Sequence, residues 1–423
     1  MGTEARSASS IDGRHRVDAE RFRARVRDFL DENLPPGWQG IGAIADREEA
    51  DQFVESWRDT LAASGLLAVT WPQEYGGAGL TKVEQVVLVE ELARAGVPAM
   101  GHNDTFGIKM LGGTLLRWGT EEQKRFYLPR ILRGEDRWCQ GFSEPGSGSD
   151  LASLSTRAEL HGDRWVINGQ KLWTSRAREA DHIFLLARTD SSVAKHAGIT
   201  FLLVDLHQPG IEIRPIRALS GETEFNEVFF SDAITPASQI IGEVNEGWAV
   251  ANTLLGLERG EEAATNPILF RAELDRLLQL AIDRGRTADP VVRDRLADLY
   301  ARCEIMRFVG MRILAGVLNN GSLGPEASIS KLYWSEYHQR ATRLALDILG
   351  ADALTIEGRL PLRAYRTDDP GAPNTTGSWI GAFYNAVAGT IYAGTSQVQR
   401  NILGESVLGL PREPRPSNAA KVV

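Results

Sequence analysis

A glycine- and serine-rich segment about one third of the way along the 423-residue chain has the composition of an anion-binding loop. It runs from Phe142 to Asp150 with the sequence FSEPGSGSD. Glycines at alternate positions let a ligand approach the backbone N–H groups, and Ser143 and Ser149 add hydroxyl donors. Such a loop can hold a phosphate or the edge of an anionic ring. The same composition is also typical of an ordinary turn, and the segment alone leaves both interpretations open.

A second candidate is the sequence LWTS at residues 172–175, at the end of a predicted strand. The indole of Trp173 stands beside the hydroxyls of Thr174 and Ser175. This combination suits a flat aromatic ligand that stacks on one face and forms hydrogen bonds at its edge. A tryptophan packed inside a sheet fits this segment about equally well.

The third candidate is an acidic side chain on a helix that begins near Glu246. Trp248, Ala251, Leu255 and Glu258 recur at helical spacing, so Glu258 shares a face with apolar residues. Burial there would disfavour the charged carboxylate and raise its pKa, as a general base working near neutral pH requires. The charged sequence ERGEE at residues 258–262 also permits a solvated glutamate, and spacing alone favours that alternative.

These residues need a scaffold, and the hydrophobic periodicity changes twice along the chain. The pattern is helical up to about residue 137, typical of short strands over 138–243, and helical again from 244. We therefore predict three domains: an N-terminal helical domain over 1–137, a central antiparallel sheet or barrel over 138–243, and a C-terminal helical domain over 244–423. No long helical pattern joins the strands, which excludes a doubly wound α/β domain.

Local patterns predict the ends of individual helices. A helix with an apolar stripe over Phe22–Leu30 should stop before Pro35. Thr120, with Gln123 three residues later, is typical of a capping box at a helix start.

Other patterns predict turns and buried faces. The first strands of the central domain should turn at Gly162–Asp163 and again at Asn168–Gly169. The loop expected over 366–379 separates two C-terminal helices, and the chain from Pro411 onward has the composition of a frayed tail.

One apolar stripe on a C-terminal helix is predicted to contain Leu274, Leu277, Leu278, Ala281 and Ile282.

Composition narrows the classes of function. Lysine and arginine total 47 against 56 acidic residues, a formal charge of −9 that gives no electrostatic reason to expect nucleic acid as a partner. The two cysteines fit a reducing compartment, and the seven scattered histidines predict no catalytic metal. Because no secretory signal and no membrane-spanning apolar stretch is present, we expect a soluble cytoplasmic protein without a membrane partner.

Taken together, six segments resemble the acyl-CoA dehydrogenase family of flavoproteins, and the similarity extends from about Phe22 to Pro414. They stand in the family's order: WPQEYGGAGL, EEQKRFYLPRILRGE, FSEPGSGSDLAS, WVINGQKLWTS, GEVNEGW and AGTSQVQRNILGESVLGLPREP. The resemblance implies an N-terminal helical domain, a central β-barrel and a C-terminal four-helix bundle. It also implies FAD as cofactor and an acyl-CoA thioester as substrate.

By resemblance, the family's site residues fall on named positions of this chain. FAD would be held by Phe142, Ser143, Gly148, Ser149, Trp173, Ser175, Thr395 and Gln397. The substrate would contact Ser149, Ala393 and Arg259. In the family reaction a carboxylate takes the α-proton while the β-hydrogen leaves as hydride to flavin N5, and a backbone N–H helps to stabilise the thioester oxygen.

One departure from the family pattern decides the expected base. Many members carry the catalytic glutamate immediately before the GTSQ-like motif, where this chain has Ala393. A minority, including isovaleryl- and long-chain-type enzymes, carry it on an earlier helix in an L-x-x-E-R context. Leu255–Arg259 matches that pattern, so the resemblance assigns the base to Glu258. The N–H of Ala393 keeps its capacity to bind the thioester oxygen.

A second departure concerns assembly. The family often has an R-x-x-F-G segment that reaches the FAD of a neighbouring subunit, whereas the corresponding DRGRTADPVVRDRLADLY lacks the phenylalanine and glycine. Some actinobacterial relatives that degrade steroid side chains form mixed tetramers, so the resemblance permits either a homotetramer or a mixed tetramer with a related subunit. An electron-transfer flavoprotein is the implied electron acceptor. An oxidase-type relative and a catalytically silent subunit are the alternatives.

Overall fold

The chain folds into helices, then a sheet, then helices again. This computed structural model describes residues 4–320, 324, 327–356 and 374–412, without the side chains of 4–17, 257–262, 317, 319 and 320. The first helices are α1 (Glu4–Asn33), α2 (Arg47–Ala63), α3 (Lys82–Ala95), a π-helical segment (Thr105–Gly112), α4 (Gly113–Trp118) and α5 (Glu121–Arg133).

The predicted helix ends in this first part are confirmed. Phe22, Val26 and Leu30 are buried along α1, which ends two residues before Pro35. The hydroxyl of Thr120 accepts the N–H of Gln123, whose side chain in turn accepts the N–H of Thr120. This reciprocal capping satisfies two donors that the first turn of α5 would otherwise leave unpaired.

The central sheet has eight strands, and most neighbours are antiparallel. Its order is β6-β7-β3-β2-β4-β5-β8, with β1 beside β4. The strands are β1 (Trp138–Gly141), β2 (Arg157–His161), β3 (Arg164–Ser175), β4 (His182–Arg188), β5 (Ile199–Asp205), β6 (Ile211–Ile216), β7 (Phe225–Pro236) and β8 (Ile240–Ile241). The predicted helix–sheet–helix fold is confirmed, although this sheet is not closed into a barrel and β4 pairs in parallel with β1 and β2.

One predicted turn is correct and the other is wrong. The chain does turn at Gly162–Asp163 between β2 and β3, but β3 continues through Asn168–Gly169 with only a shift of register against β7. A Cβ at Gly169 would lie 2.6 Å from the Cα of Thr156. The glycine therefore allows a close backbone approach inside a strand, which is a second common use of glycine in sheets.

The last part is a bundle of long helices. The predicted loop over 366–379 falls mainly on residues outside the described ranges, but its last four residues are helical, so the loop prediction is wrong for them. Most of the tail after Pro411 also lies outside the described ranges. The helices are α6 (Gly247–Asp283), α7 (Pro290–Asn320), α8 (Ser328–Leu349), α9 (Thr376–Gly389) and α10 (Ser396–Ile402), followed by a π-helical segment (Leu403–Val407). Of the stripe predicted on α6, Leu274, Leu277 and Ala281 are buried, whereas Leu278 and Ile282 are about half exposed.

The cores show how these parts meet. One apolar core joins the N-terminal helices to one face of the sheet and to the start of α6, with Leu128, Phe201 and Leu254 among its members. Another lies inside the C-terminal bundle around Phe270 and Trp379. The start of α6 is thus fixed against both the sheet and the first helices. Of the helices in the described ranges, none is both long and apolar enough to cross a bilayer.

Candidate active site

The FSEPGSGSD loop leaves the sheet directly after β1 and is anchored by its first residue. Phe142 is buried, and its ring packs edge-on against Phe184 and Phe201 at centroid distances of 5.9 and 6.1 Å. Ser149 is exposed, and open space surrounds the backbone at Gly148, where an added Cβ would meet no atom within 4 Å. The loop therefore combines a rigid base with an accessible tip.

Beside this loop runs the end of β3. The N–H of Leu172 donates to the carbonyl of Ser143 at 2.9 Å, so the two predicted segments are in direct contact. Their contact brings Ser143 next to the WTS sequence, although the two lie about thirty positions apart. This contact could not be predicted from the residues near each segment, because it joins two segments that are distant in the sequence.

A buried ion pair also connects the two segments, since Lys171 lies in β3 and Glu144 in the FSEPGSGSD loop. Lys171 is fully buried, and its Nζ donates to Glu144 Oε1 at 2.8 Å and to the Phe142 carbonyl at 3.1 Å. Glu144 also accepts hydrogen bonds from the N–H and the hydroxyl of Ser155 and from the N–H of Thr156. Both charges are thereby compensated, as buried charges must be.

The electrostatics of this pair follow from its surroundings. Burial by itself would raise the pKa of Glu144, but the ammonium of Lys171 and the donors of Ser155 and Thr156 lower it to about 2. Burial lowers the pKa of Lys171 to about 8 against the opposing attraction of Glu144. At neutral pH the pair is therefore a carboxylate facing an ammonium.

Trp173 has an unusual backbone and an unusual environment. Its φ is 63°, in the left-handed region that non-glycine residues rarely adopt, and the register between β3 and β7 shifts at this point. The side chain is 56% exposed and touches Phe225 only edge-on. An indole held in a strained backbone yet left largely uncovered is unlike a core tryptophan, which favours the ligand-stacking alternative.

The hydroxyls next to this tryptophan differ in their surroundings. Ser175 is half-buried and pairs with Phe225 in the ladder between β3 and β7. Thr174 is buried, and its hydroxyl has no hydrogen-bond partner among the described side chains and backbone. An unpaired buried hydroxyl is costly unless something outside the described residues satisfies it.

The AGTSQ sequence forms a second, separate group in the C-terminal bundle. Ala393 and Gly394 both have positive φ, at 50° and 86°, and lead into α10. Thr395 caps this helix by accepting the N–H of Val398, and Gln397 is exposed. Within the described ranges, no hydrogen bond joins this turn to the Ser143 loop, so the structure brings only some of the predicted residues together.

The predicted base lies on α6, where the chain passes between the two cores. Its neighbours on the predicted face behave as expected: Ala251 is buried, and Trp248 and Leu255 pack against the first core. The side chains of Glu258 and Arg259 are not among those described, so their placement stays a prediction.

Two buried lysines were not anticipated from the sequence. Lys171 falls in an alternating strand pattern at a position that faces inward, and Lys331 falls three residues before the buried Trp334 on α8. A lysine at an inward position of an otherwise apolar pattern is the signal that could have revealed both, because such a charge must find a buried partner.

Comparison with known proteins gives the family. The Acyl-CoA dehydrogenase N-terminal domain matches residues 17–135, the middle domain matches 139–233, and the C-terminal domain matches 245–408. The chain belongs to the acyl-CoA dehydrogenase family. The resemblance drawn from the six sequence segments is confirmed.

Curated relatives and solved structures agree with this assignment. Acyl-CoA dehydrogenase IpdE1 of Mycobacterium tuberculosis is 41% identical over 94% of this chain and 99% of its own length. A structure described as the Tcur3481-Tcur3483 steroid ACAD is 33% identical, with a TM-score of 0.76 over 94% of this chain and 98% of that one. The ChsE4-ChsE5 complex from Mycobacterium tuberculosis is 31% identical, with a TM-score of 0.73 over 94% and 98%.

Proposed function

We propose that this acyl-CoA dehydrogenase uses FAD to introduce an α,β double bond into a bulky acyl-CoA thioester. The observation that carries the proposal is the strained and exposed Trp173 beside the Ser143 loop, in a chain that matches all three domains of the family. An indole that is left uncovered at this position suits stacking against a flat ring system.

The residues present fit FAD. Trp173 offers an aromatic face, and the unpaired buried hydroxyl of Thr174 lies next to it. The open space at Gly148 and the exposed Ser149 suit close approach by a large anionic ligand. Phe142, Ser143, Ser175, Thr395 and Gln397 complete the proposed cofactor site.

When bound, FAD supplies the acceptor for the β-hydride. In this proposal the carboxylate of Glu258 takes the α-proton, and Arg259 and Ser149 contact the substrate. Negative charge develops on the thioester oxygen as that proton leaves, so a donor must be ready at that oxygen. The N–H of Ala393 is such a donor, since Ala393 is exposed and nothing within the described residues accepts from its N–H.

The proposals for the substrate class and for the assembly rest on how related solved structures are described. One related structure is described as a steroid ACAD, and two are described by pairs of chain names. We therefore propose a steroid-derived CoA thioester as substrate and a mixed tetramer with a related subunit, with an electron-transfer flavoprotein as electron acceptor.

A surface feature supports assembly. Tyr300, Met311 and Leu318 of α7 are between 44% and 57% exposed and share one helix face, since they lie 11 and 18 positions apart. Arg307 lies on the same face, so this surface combines apolar side chains with a charged one, a mixture that interfaces between subunits commonly bury.

The proposed base is tested by Glu258→Gln. The amide cannot accept the α-proton, so we expect flavin reduction by acyl-CoA to slow by about 10²- to 10⁴-fold. The amide has nearly the shape of the carboxylate, so FAD should remain bound. Stopped-flow absorbance under anaerobic conditions measures the rate, with a panel of straight-chain, branched and steroid-derived CoA thioesters.

The matched control is Glu159→Gln, which makes the same replacement at an exposed position of β2. It should reduce its flavin at the wild-type rate. A wild-type rate in Glu258→Gln would contradict the assignment of the base. A wild-type protein that binds no FAD, either alone or together with the related subunit of the proposed mixed tetramer, would contradict the proposed function itself.

A further inference from the structure

Lys331 on α8 is buried in the C-terminal bundle, only 2% exposed, and reaches the AGTSQ turn. Its Nζ donates to the carbonyl of Gly394 at 2.7 Å and lies 5.8 Å from the centre of the Tyr392 ring. A hydrogen bond from an ammonium is shorter and about twice as strong as a neutral one. Among the hydrogen bonds to this turn within the described residues, it is the one that brings a full charge.

The turn itself needs to be held. Ala393 has a φ of 50°, a left-handed conformation that is unfavourable for an alanine and persists only where the surroundings enforce it. Two side chains do so from inside the protein: Gln399, which is fully buried, donates to the Ala393 carbonyl at 3.0 Å, and Lys331 holds the carbonyl of Gly394.

Fixing the two carbonyls also determines the donors of the turn. A trans peptide directs its N–H opposite to its C=O, so Gln399 orients the peptide that carries the N–H of Gly394, and Lys331 holds the next peptide in place from the other side of Gly394. Nothing in the described part of the chain accepts from the N–H of Ala393 or of Gly394. Two donors are thus left free at a turn whose first residue, Ala393, is exposed.

We propose that Lys331 is a positioning residue for thioester activation. It fixes the left-handed turn so that the free N–H groups of Ala393 and Gly394 can stabilise negative charge on the thioester oxygen, and its own positive charge strengthens that effect. This inference rests on the proposed function, because it needs a thioester bound at this turn. Lys331 does not touch the reacting atoms; it acts through the backbone.

The test compares Lys331→Met with Lys331→Gln in the FAD-loaded protein. Methionine has a similar length but neither charge nor donor, whereas glutamine keeps an N–H donor without the charge. The matched control is Arg340→Met, which removes a cation of the same helix at an exposed position.

Two measurements distinguish a positioning role of Lys331 in the reaction from a role in stabilising the fold alone. Losing one direct oxyanion donor typically costs about 10²–10³ in kcat. Because Lys331 acts indirectly, we expect a smaller loss in Lys331→Met, on the order of 10- to 100-fold in kcat, with KM little changed. The second readout is a pH titration of bound acetoacetyl-CoA, whose enolate absorbs in the ultraviolet and forms without any hydride transfer. Its apparent pKa should rise by about one to two units in Lys331→Met, and Lys331→Gln should recover part of the change.

The outcomes are distinct. Unchanged kcat and an unchanged pKa of bound acetoacetyl-CoA in a folded Lys331→Met would overturn the inference while leaving the proposed function intact. Loss of the native circular dichroism spectrum in both Lys331 variants would also overturn it, because the lysine would then be a structural residue. A wild-type protein that neither binds acetoacetyl-CoA nor oxidises acyl-CoA would instead reject the proposed function.

Discussion

Replacing Lys171 by methionine removes the cation that donates a hydrogen bond to Glu144, and leaves that carboxylate buried. The side chain of Glu144 is 4% exposed and that of Lys171 is fully buried, so water cannot replace the lost ammonium without a rearrangement. Breaking a buried ion pair by removing one partner typically costs about 3–5 kcal/mol. We expect Lys171→Met to lower the free energy of unfolding by an amount in this range.

The displacement of the two pKa values gives the pH range of the effect. The lowered pKa of Lys171 opposes folding and offsets part of what the pair contributes. The pKa of Glu144, lowered from 4.5 to about 2, contributes stability at neutral pH. Because the folded-state pKa is the lower one, this contribution is complete above pH 4.5 and is lost as the pH falls toward 2. The advantage of the wild type over the double variant Lys171→Met/Glu144→Gln should therefore shrink over that acidic range.

Urea unfolding followed by circular dichroism measures these differences. The matched control is Lys195→Met, which breaks the exposed pair between Lys195 and Asp150 in the same domain. Such surface pairs contribute about 0–1 kcal/mol. The double variant should be more stable than Lys171→Met, since it no longer buries an unpaired charge. The reasoning is refuted if Lys171→Met costs no more than Lys195→Met.

Two further predictions concern the proposed ligand site. Trp173→Ala should lower the flavin-to-protein absorbance ratio of the purified protein without lowering the melting temperature of the FAD-free form, because the indole is 56% exposed; full FAD occupancy would contradict the stacking role. In Gly394→Ala the new Cβ would lie 2.6 Å from Nε2 of Gln399 at a φ of 86°, so the turn must shift. We expect a loss of kcat and a cost of about 1–3 kcal/mol in thermal unfolding, and an unchanged kcat would show that the turn does not serve the reaction.

Much of the fold could be predicted because its signals are local. The apolar stripe over Phe22–Leu30 and the capping box at Thr120 depend on residues three or four positions apart, and both are confirmed. The same kind of reasoning was wrong at Asn168–Gly169. That pair is typical of a hairpin turn, but here the glycine lies inside β3, where it allows the backbone of Thr156 to pack closely against the strand.

The candidate site also has features that can be predicted from neighbouring residues and features that depend on contacts between distant ones. The family, the order of the domains and the composition of the FSEPGSGSD and WTS segments can be read from consecutive residues. The pairing of Glu144 with Lys171 and the contact of Lys331 with Gly394 join residues 27 and 63 positions apart, and they became visible only in the folded chain. The physical reason is that a buried charge is stable only beside its partner, and packing between distant segments selects that partner.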